Sequence, residues 1–358
     1  MKMQILKKAG HSLANVAGKP VLSIVIIVTT TMLGCKTTEP RYLFPDDYMA
    51  DPAAHVFGGR LFVYPSHDRE TGIPEQDDGS HFDMVDYHAL EIKGDPMTGE
   101  VVDHGVMLRL EDVPWAKRQL WDSDVAEKNG RYYLYFSAKD HDDIFHIGVA
   151  TADRPEGPFV AEPKPIASSY SIDPCVFKDA DGAHYIVFGG LWGGQLQRYR
   201  DNKPVYSATE DTLPKGNRSA LEPLDNEPAL SPKIARLSDD MLSFAEPPRD
   251  LVILDETGAP LAAGDHARRF FEASWLYFKD GQYHFSYSTG DTHLICDAVS
   301  ETLYGPYRFD RVLLAPQVGW TTHHCVTEVD GKWYLFHHDS APSGGRTWLR
   351  SLKVKPLE

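Results

Sequence analysis

The sequence predicts an all-β chain built from five copies of one four-stranded antiparallel unit, and three observations carry this. First, a hairpin recurs: a polar or ionisable residue opens a short strand, Gly turns the chain eight or nine residues later, and an aromatic-rich strand returns. Second, the turns hold Asn129-Gly130, Asp181-Gly182, Asp280-Gly281 and Asp330-Gly331, with Gly58-Gly59 in the first copy; Asn-Gly and Asp-Gly between strand-like runs are the strongest short-range hairpin signal. Third, helical periodicity is scarce, whereas short runs of Tyr, Phe, Val and Ile alternate with Gly, Asp, Asn and Pro. Four strands per unit, repeated at intervals of about 50 residues or more, is the arithmetic of a β-propeller, here a single five-bladed one.

In chain order, the N-terminus stands apart from this pattern. Lys2, Lys7, Lys8 and Lys19 precede an apolar run from Val21 to Leu33, followed by Gly34-Cys35. That is the layout of a bacterial export signal, and Leu33-Gly34-Cys35 resembles a lipobox. Residues 1–35 are therefore expected to be an export signal ending at a lipidated Cys35, 36–41 a tether, and 42–358 the propeller. The expected location is outside the cytoplasm, anchored to the membrane by the lipid on the periplasmic or cell-surface side.

The five units start at Asp51, Asp122, Asp173, Glu272 and His323, spaced by 71, 51, 99 and 51 residues. The second and fourth units continue through Ile147–Thr151 and Asp297–Ser300 into Gly157-Pro158 and Gly305-Pro306, which reads as a third strand, a turn and a fourth strand. In the third unit Ala235 to Phe244 fills that slot, with a single helical turn expected at Ser238-Asp239-Asp240. The long spacings hold polar insertions at roughly 69 to 81 and 200 to 230, rich in Asp, Gly, Pro and Asn, which read as surface loops walling a pocket.

Composition limits the function. A net charge of -16 argues against a nucleic-acid partner, which needs a basic face, and suits a protein acting on neutral ligands. Cys175, Cys296 and Cys325 cannot all pair and lack metal-type spacing; they read as small buried hydrophobes.

In a propeller the first strand of each blade lines the central axis, so Asp51, Asp122, Asp173, Glu272 and His323 are expected at one mouth of it. Asp51-Pro52 and Asp173-Pro174 could each be a turn starter, but their shared register in the repeat sets them apart. Glu272 lies in an apolar context between Phe271 and Ala273. Grouped carboxylates raise one another's pKa, a cost that points to acid-base chemistry or cation binding. One carboxyl that protonates a leaving oxygen and one that takes a proton from water is what glycoside hydrolysis needs. Trp121, Trp192, Trp275 and Trp320 suit sugar stacking; Arg268 and Arg269 are placed to bind hydroxyls or a carboxylate; His67 and Asp68 end the second strand near the pocket.

The motifs Asp51-Pro52, Ser171-Ile172-Asp173-Pro174 and Phe271-Glu272-Ala273, with the Gly-Pro turns and a late His323-His324 before Gly331-Lys332-Trp333-Tyr334, resemble glycoside hydrolase family 43. The resemblance spans about residues 45 to 355 and implies a five-bladed propeller that inverts the anomeric carbon. It implies Asp51 as general base, Glu272 as general acid and Asp173 as the residue that orients the acid and sets its pKa. It also implies an axial His, matched best by His323 with His324 as the alternative, beside a possible structural calcium ion; no cofactor is implied for the chemistry. Trp121-Asp122-Ser123-Asp124 departs from the family's usual Trp-Ala-Pro-Asp and leaves Asp122 without a role. The expected activity is exo-acting release of arabinose or xylose from plant polysaccharide. A galactan-directed glycosidase and a non-catalytic glycan-binding propeller are the alternatives; the presence of all three carboxylates favours an enzyme.

Overall fold

The computed structural model describes residues 39–205 and 221–357. The export signal with Cys35, and part of the second insertion, lie outside them.

The five hairpins form as expected, four of them on two-residue turns suited to it. Gly58-Gly59, Asn129-Gly130, Asp280-Gly281 and Asp330-Gly331 all have positive φ at both central residues, the backbone that matches the right-handed twist of the flanking strands. Blade I is Met49–Phe57, Arg60–His67, Asp86–Lys93 and Glu100–Arg109; blade II is Ser123–Lys128, Arg131–Lys139, Phe145–Ala152 and Val160–Ala161. Blade III is Cys175–Lys178, His184–Phe188, Lys233–Arg236 and Arg249–Asp250; blade IV is Glu272–Lys279, Gln282–Ser288, Ile295–Ser300 and Tyr307–Leu314, with Ile253–Leu254 added in parallel at its outer edge. Blade V takes His324–Val329, Lys332–Asp339 and Ser351–Pro356 from the C-terminus and Arg41–Tyr42 from the N-terminus. Arg41 pairs with Val354, so the last residue of the expected tether belongs to the fold. Placing strands from the N-terminal and C-terminal parts of the propeller in one blade closes the ring.

The core lies between blades. Tyr64, Tyr135 and Tyr287 of the second strands are fully buried. Tyr64 of blade I donates to the carbonyl of Pro155 in blade II, and Tyr135 of blade II to that of Met241 in blade III. Each thus buries a ring and satisfies its hydroxyl on the next blade. The three cysteines are free and buried. The expected helical turn at 238–240 does not form: Met241 has a φ of 65°, and Ser238 Oγ takes up local hydrogen bonds with Asp240 and Ser243 in a tight non-helical turn. Side chains that satisfy nearby backbone groups compete with helix in this way.

Candidate active site

Each inner strand of blades I, III and IV begins with a distortion. Asp51, Asp173 and Ala273 have φ of 48°, 60° and 61°, a left-handed backbone that costs a non-glycine residue about 1–3 kcal/mol. The pairing register breaks between Ala50 and Ala53 and again between Glu272 and Trp275. Such bulges re-aim side chains, and here Asp51, Asp173 and Glu272 all line one pocket at a mouth of the axis, with Asp122, Trp121, Trp192, Trp320, His323 and Arg350.

Asp51 is held as a carboxylate. Its two oxygens accept from both terminal nitrogens of Arg350 at 2.7 and 3.0 Å, a bidentate pair. Burial pushes the Asp51 carboxyl up, but nearby cationic groups, Arg350 foremost, outweigh it and bring it to about 2. His338 donates no charge to this balance at neutral pH. Burial, then Arg350, lowers its own pKa to about 3, and its Nδ1 accepts from the Asp51 backbone N–H at 3.1 Å. Arg350 is fixed in turn by Asp68, whose Oδ1 and Oδ2 accept from the guanidinium at 2.7 and 2.8 Å. Asp68 therefore acts on the pocket through Arg350.

Glu272 has the opposite environment. Burial first, then the charges of Asp173 and Asp51, raise its carboxyl well above the ordinary value, with Arg350 opposing weakly. Two carboxyls pushed apart in this way are the signature of an acid and a base. Asp173 also anchors the strand start beside Glu272: its Oδ2 accepts the N–H of Ala273 at 2.5 Å. Asp122 acquires a role from the same network. Burial first, then the neighbouring Asp173, raises its carboxyl well above the ordinary value. Its Oδ1 accepts from the Asp173 backbone N–H at 3.1 Å and from Ser137 Oγ at 3.2 Å.

Removing the charge of Asp173 should lower the pKa of Glu272. The Asp173→Asn enzyme is therefore expected to lose activity at lower pH on its alkaline limb, with KM little changed; a pH profile of kcat/KM checks this, and an unmoved limb refutes it.

The aromatic walls sort differently from the expectation. Trp121, Trp192 and Trp320 line the pocket. Trp275 does not: it faces a separate cavity beside His55, with its Nε1 on the carbonyl of Val326. Three residues beyond Glu272 along a strand that rises about 3.3 Å per residue, it lies roughly 10 Å further down the axis. Arg268 and Arg269 are also outside the pocket. Arg268 pairs with Asp265 and Glu256, and Arg269 packs behind Phe271 with its guanidinium 5.4 Å from the ring and 3.6 Å from Asp291. His67 is likewise absent from the lining, being engaged by Asp86 and Asp47. His323 Nδ1 stands 3.9 Å from Asp51 and 4.0 Å from Asp173, whereas His324 is buried against Ser286 Oγ; His323 is the axial histidine.

The first insertion shapes the opening. Glu75 accepts from Trp320 Nε1 and Thr347 Oγ1 at 2.7 and 2.9 Å. The carbonyls of Gly79 and Phe82 accept from Gln119 and Trp121. The carbonyl of Asp78 sits so close to Gly193 that a Cβ there would meet it at 2.6 Å. One loop of blade I is thus pinned to blades V, II and III, and the mouth becomes a pocket rather than an open cleft.

The expected calcium ion finds few protein ligands here. His323 offers one nitrogen, and Asp51 is already paired with Arg350, whereas calcium takes six to eight oxygens. A calcium ion at the axis would therefore be held by His323, with waters filling most of its shell.

Comparison with known proteins agrees with the geometry. Residues 102–224 match the family model of the glycosyl hydrolases family 43. Over 321 residues the chain is 60% identical to a xylosidase/arabinosidase of Bacteroides ovatus, covering 90% of this chain and 95% of the relative. It is 56% identical over 320 residues to a β-xylosidase of Xylanibacter ruminicola, covering 89% and 96%. Among solved structures, RS223-β-xylosidase superposes with a TM-score of 0.84 at 61% identity, covering 89% of this chain and 95% of that one. A calcium-free form of a β-xylosidase/α-arabinofuranosidase from a compost microbial metagenome, in complex with xylotriose, superposes at 0.85 with 52% identity, covering 90% and 95%. With a catalytic-type carboxyl pair in its pocket and relatives of this similarity along nearly all of the propeller, the chain belongs to glycoside hydrolase family 43 and is a glycosidase.

Proposed function

We propose that the protein is an exo-acting, inverting glycosidase that releases xylose, and arabinose where it is presented in the same way, from the ends of plant-derived oligosaccharides. The observation that carries this is the divided electrostatics of one pocket: Asp51 paired with Arg350 and lowered to about 2, and Glu272 raised well above the ordinary carboxyl range by burial and Asp173. The names of the relatives, xylosidase/arabinosidase and β-xylosidase, support the sugar class, as does xylotriose bound to the compost enzyme. The loop that closes the mouth favours attack at a chain end.

In the proposed reaction Glu272 gives its proton to the glycosidic oxygen as the bond to the anomeric carbon breaks. Asp51 takes a proton from a water that attacks the opposite face of that carbon. The sugar leaves with inverted configuration, Glu272 as carboxylate and Asp51 as acid, and proton exchange with solvent restores both. Inversion needs about 6.5–9.5 Å between the two carboxyls, room for the water. Proton NMR of the first product formed from xylobiose checks the proposal: the α-anomer is expected, and initial release of β-xylose overturns it.

The reading extends to location: the propeller is exported and tethered through a lipid on Cys35. Cys35→Ser is expected to abolish fatty-acid labelling and move the protein from the membrane fraction to the soluble one. Labelling that survives the substitution is the contrary result.

A further inference from the structure

His67 closes the second strand of blade I, and Asp86 and His88 open the third. One ring nitrogen from each histidine and one Asp86 oxygen lie within 4.8 Å of one another. The surroundings order these atoms. His67 Nδ1 is 2.6 Å from Asp86 Oδ1, while its Nε2 faces Asp47 Oδ2 at 3.2 Å. His88 Nδ1 faces both oxygens of Asp103 at 3.0 and 2.9 Å, which leaves Nε2 as the nitrogen not on Asp103. The two rings stand edge to face with centroids 4.6 Å apart. His67 thus has Nε2 on the outer carboxylate Asp47 and Nδ1 on Asp86 itself, and His88 has Nδ1 on the outer carboxylate Asp103. That is how protein metal sites fix the tautomer and aim the lone pair of a ligating histidine.

We propose that His67, Asp86 and His88 form a binding site for a divalent transition metal of the zinc type, with Asp47 and Asp103 as its outer carboxylates.

Two imidazoles and a carboxylate are a zinc donor set, with the fourth tetrahedral position open to water. They suit zinc and its neighbours rather than calcium or magnesium, which prefer all-oxygen shells. The side chains of His67 and Asp86 keep 22% and 18% of their surface, so an ion and a water can reach the point. Asp47, Asp86 and Asp103 place three carboxylates around the two imidazoles, a charge balance that favours a dication. The site is separate from the pocket: none of these residues lines it. A metal there would tie the segment before the inner strand of blade I, through Asp47, to the strands that follow it.

The test uses untagged, chelator-stripped protein titrated with zinc chloride against a chromophoric chelator. One equivalent per chain is expected, with no competition from calcium. Asp103→Asn should weaken uptake about 10–100-fold, the usual cost of an outer carboxylate, and His88→Ala should weaken it at least as much. If His88→Ala does not fold, Asp103→Asn decides alone. Anomalous diffraction at the zinc edge should place the ion between His67, Asp86 and His88. Absence of stoichiometric uptake, affinity unchanged in Asp103→Asn, or an anomalous peak elsewhere overturns the proposal.

Discussion

Glu272→Ala should lose about 10²–10⁴-fold in kcat on xylobiose, the usual contribution of a general acid, and far less on an aryl xyloside with a good leaving group. Xylose leaving as an alkoxide needs the proton; an acidic phenol does not. The asymmetry follows from the environment of Glu272, where burial and the charge of Asp173 raise the carboxyl well above its ordinary value and so favour the proton. Asp51→Ala should lose activity on both substrates, because the water needs its base whatever leaves. Azide, a nucleophile that carries no proton to be removed, should restore part of the Asp51→Ala rate and none of the Glu272→Ala rate on xylobiose. Steady-state rates on the two substrates check this. Equal losses on both in the Glu272→Ala enzyme would contradict its assignment as the acid.

The pocket carboxylates were readable from sequence because a propeller makes local pattern and site geometry the same thing. Asp51, Asp173 and Glu272 sit at one register of a repeated hairpin, and that register is the rim of the axis. Trp275 shows the limit of the same reasoning. It shares a strand with Glu272, but a strand moves along the axis as it runs, and this residue reaches a different cavity. Arg268 and Arg269 are close to Glu272 in sequence, yet they lie before the strand begins and turn to Asp265, Glu256 and Asp291 instead. The residue that keeps Asp51 charged was not found. Arg350 lies 299 residues away in the chain and belongs to no hairpin start. Its one local hint is a cation between Leu349 and Ser351 at the edge of an apolar strand. Ring closure brings it to Asp51 and Asp68, and no local pattern encodes that closure. The role of Asp122 was hidden for a related reason: its carboxyl is raised by burial and by Asp173, which the fold places beside it from the next blade.

Arg350→Met is expected to damage stability and activity together, and for one cause. The guanidinium is buried, with bonds to both Asp51 and Asp68. Removing it leaves two buried carboxylates without their partner, a loss of about 3–5 kcal/mol when one member of such a group is deleted. Urea denaturation at neutral pH measures it. The pH dependence separates this from a general loss of packing. In the native enzyme Asp51, lowered to about 2, stabilises the fold above its unfolded pKa and loses that contribution as pH falls through about 2. Without Arg350, burial prevails and the Asp51 pKa rises. The base is then protonated over part of the acidic range, and the acid limb of kcat/KM moves to higher pH. Arg350→Lys keeps a charge but cannot make paired contacts to two carboxylates, so it should recover stability only in part and hold the acid limb between those of the native enzyme and Arg350→Met. An acid limb in the same place in all three enzymes would show that Asp51 owes its ionisation to something other than this arginine.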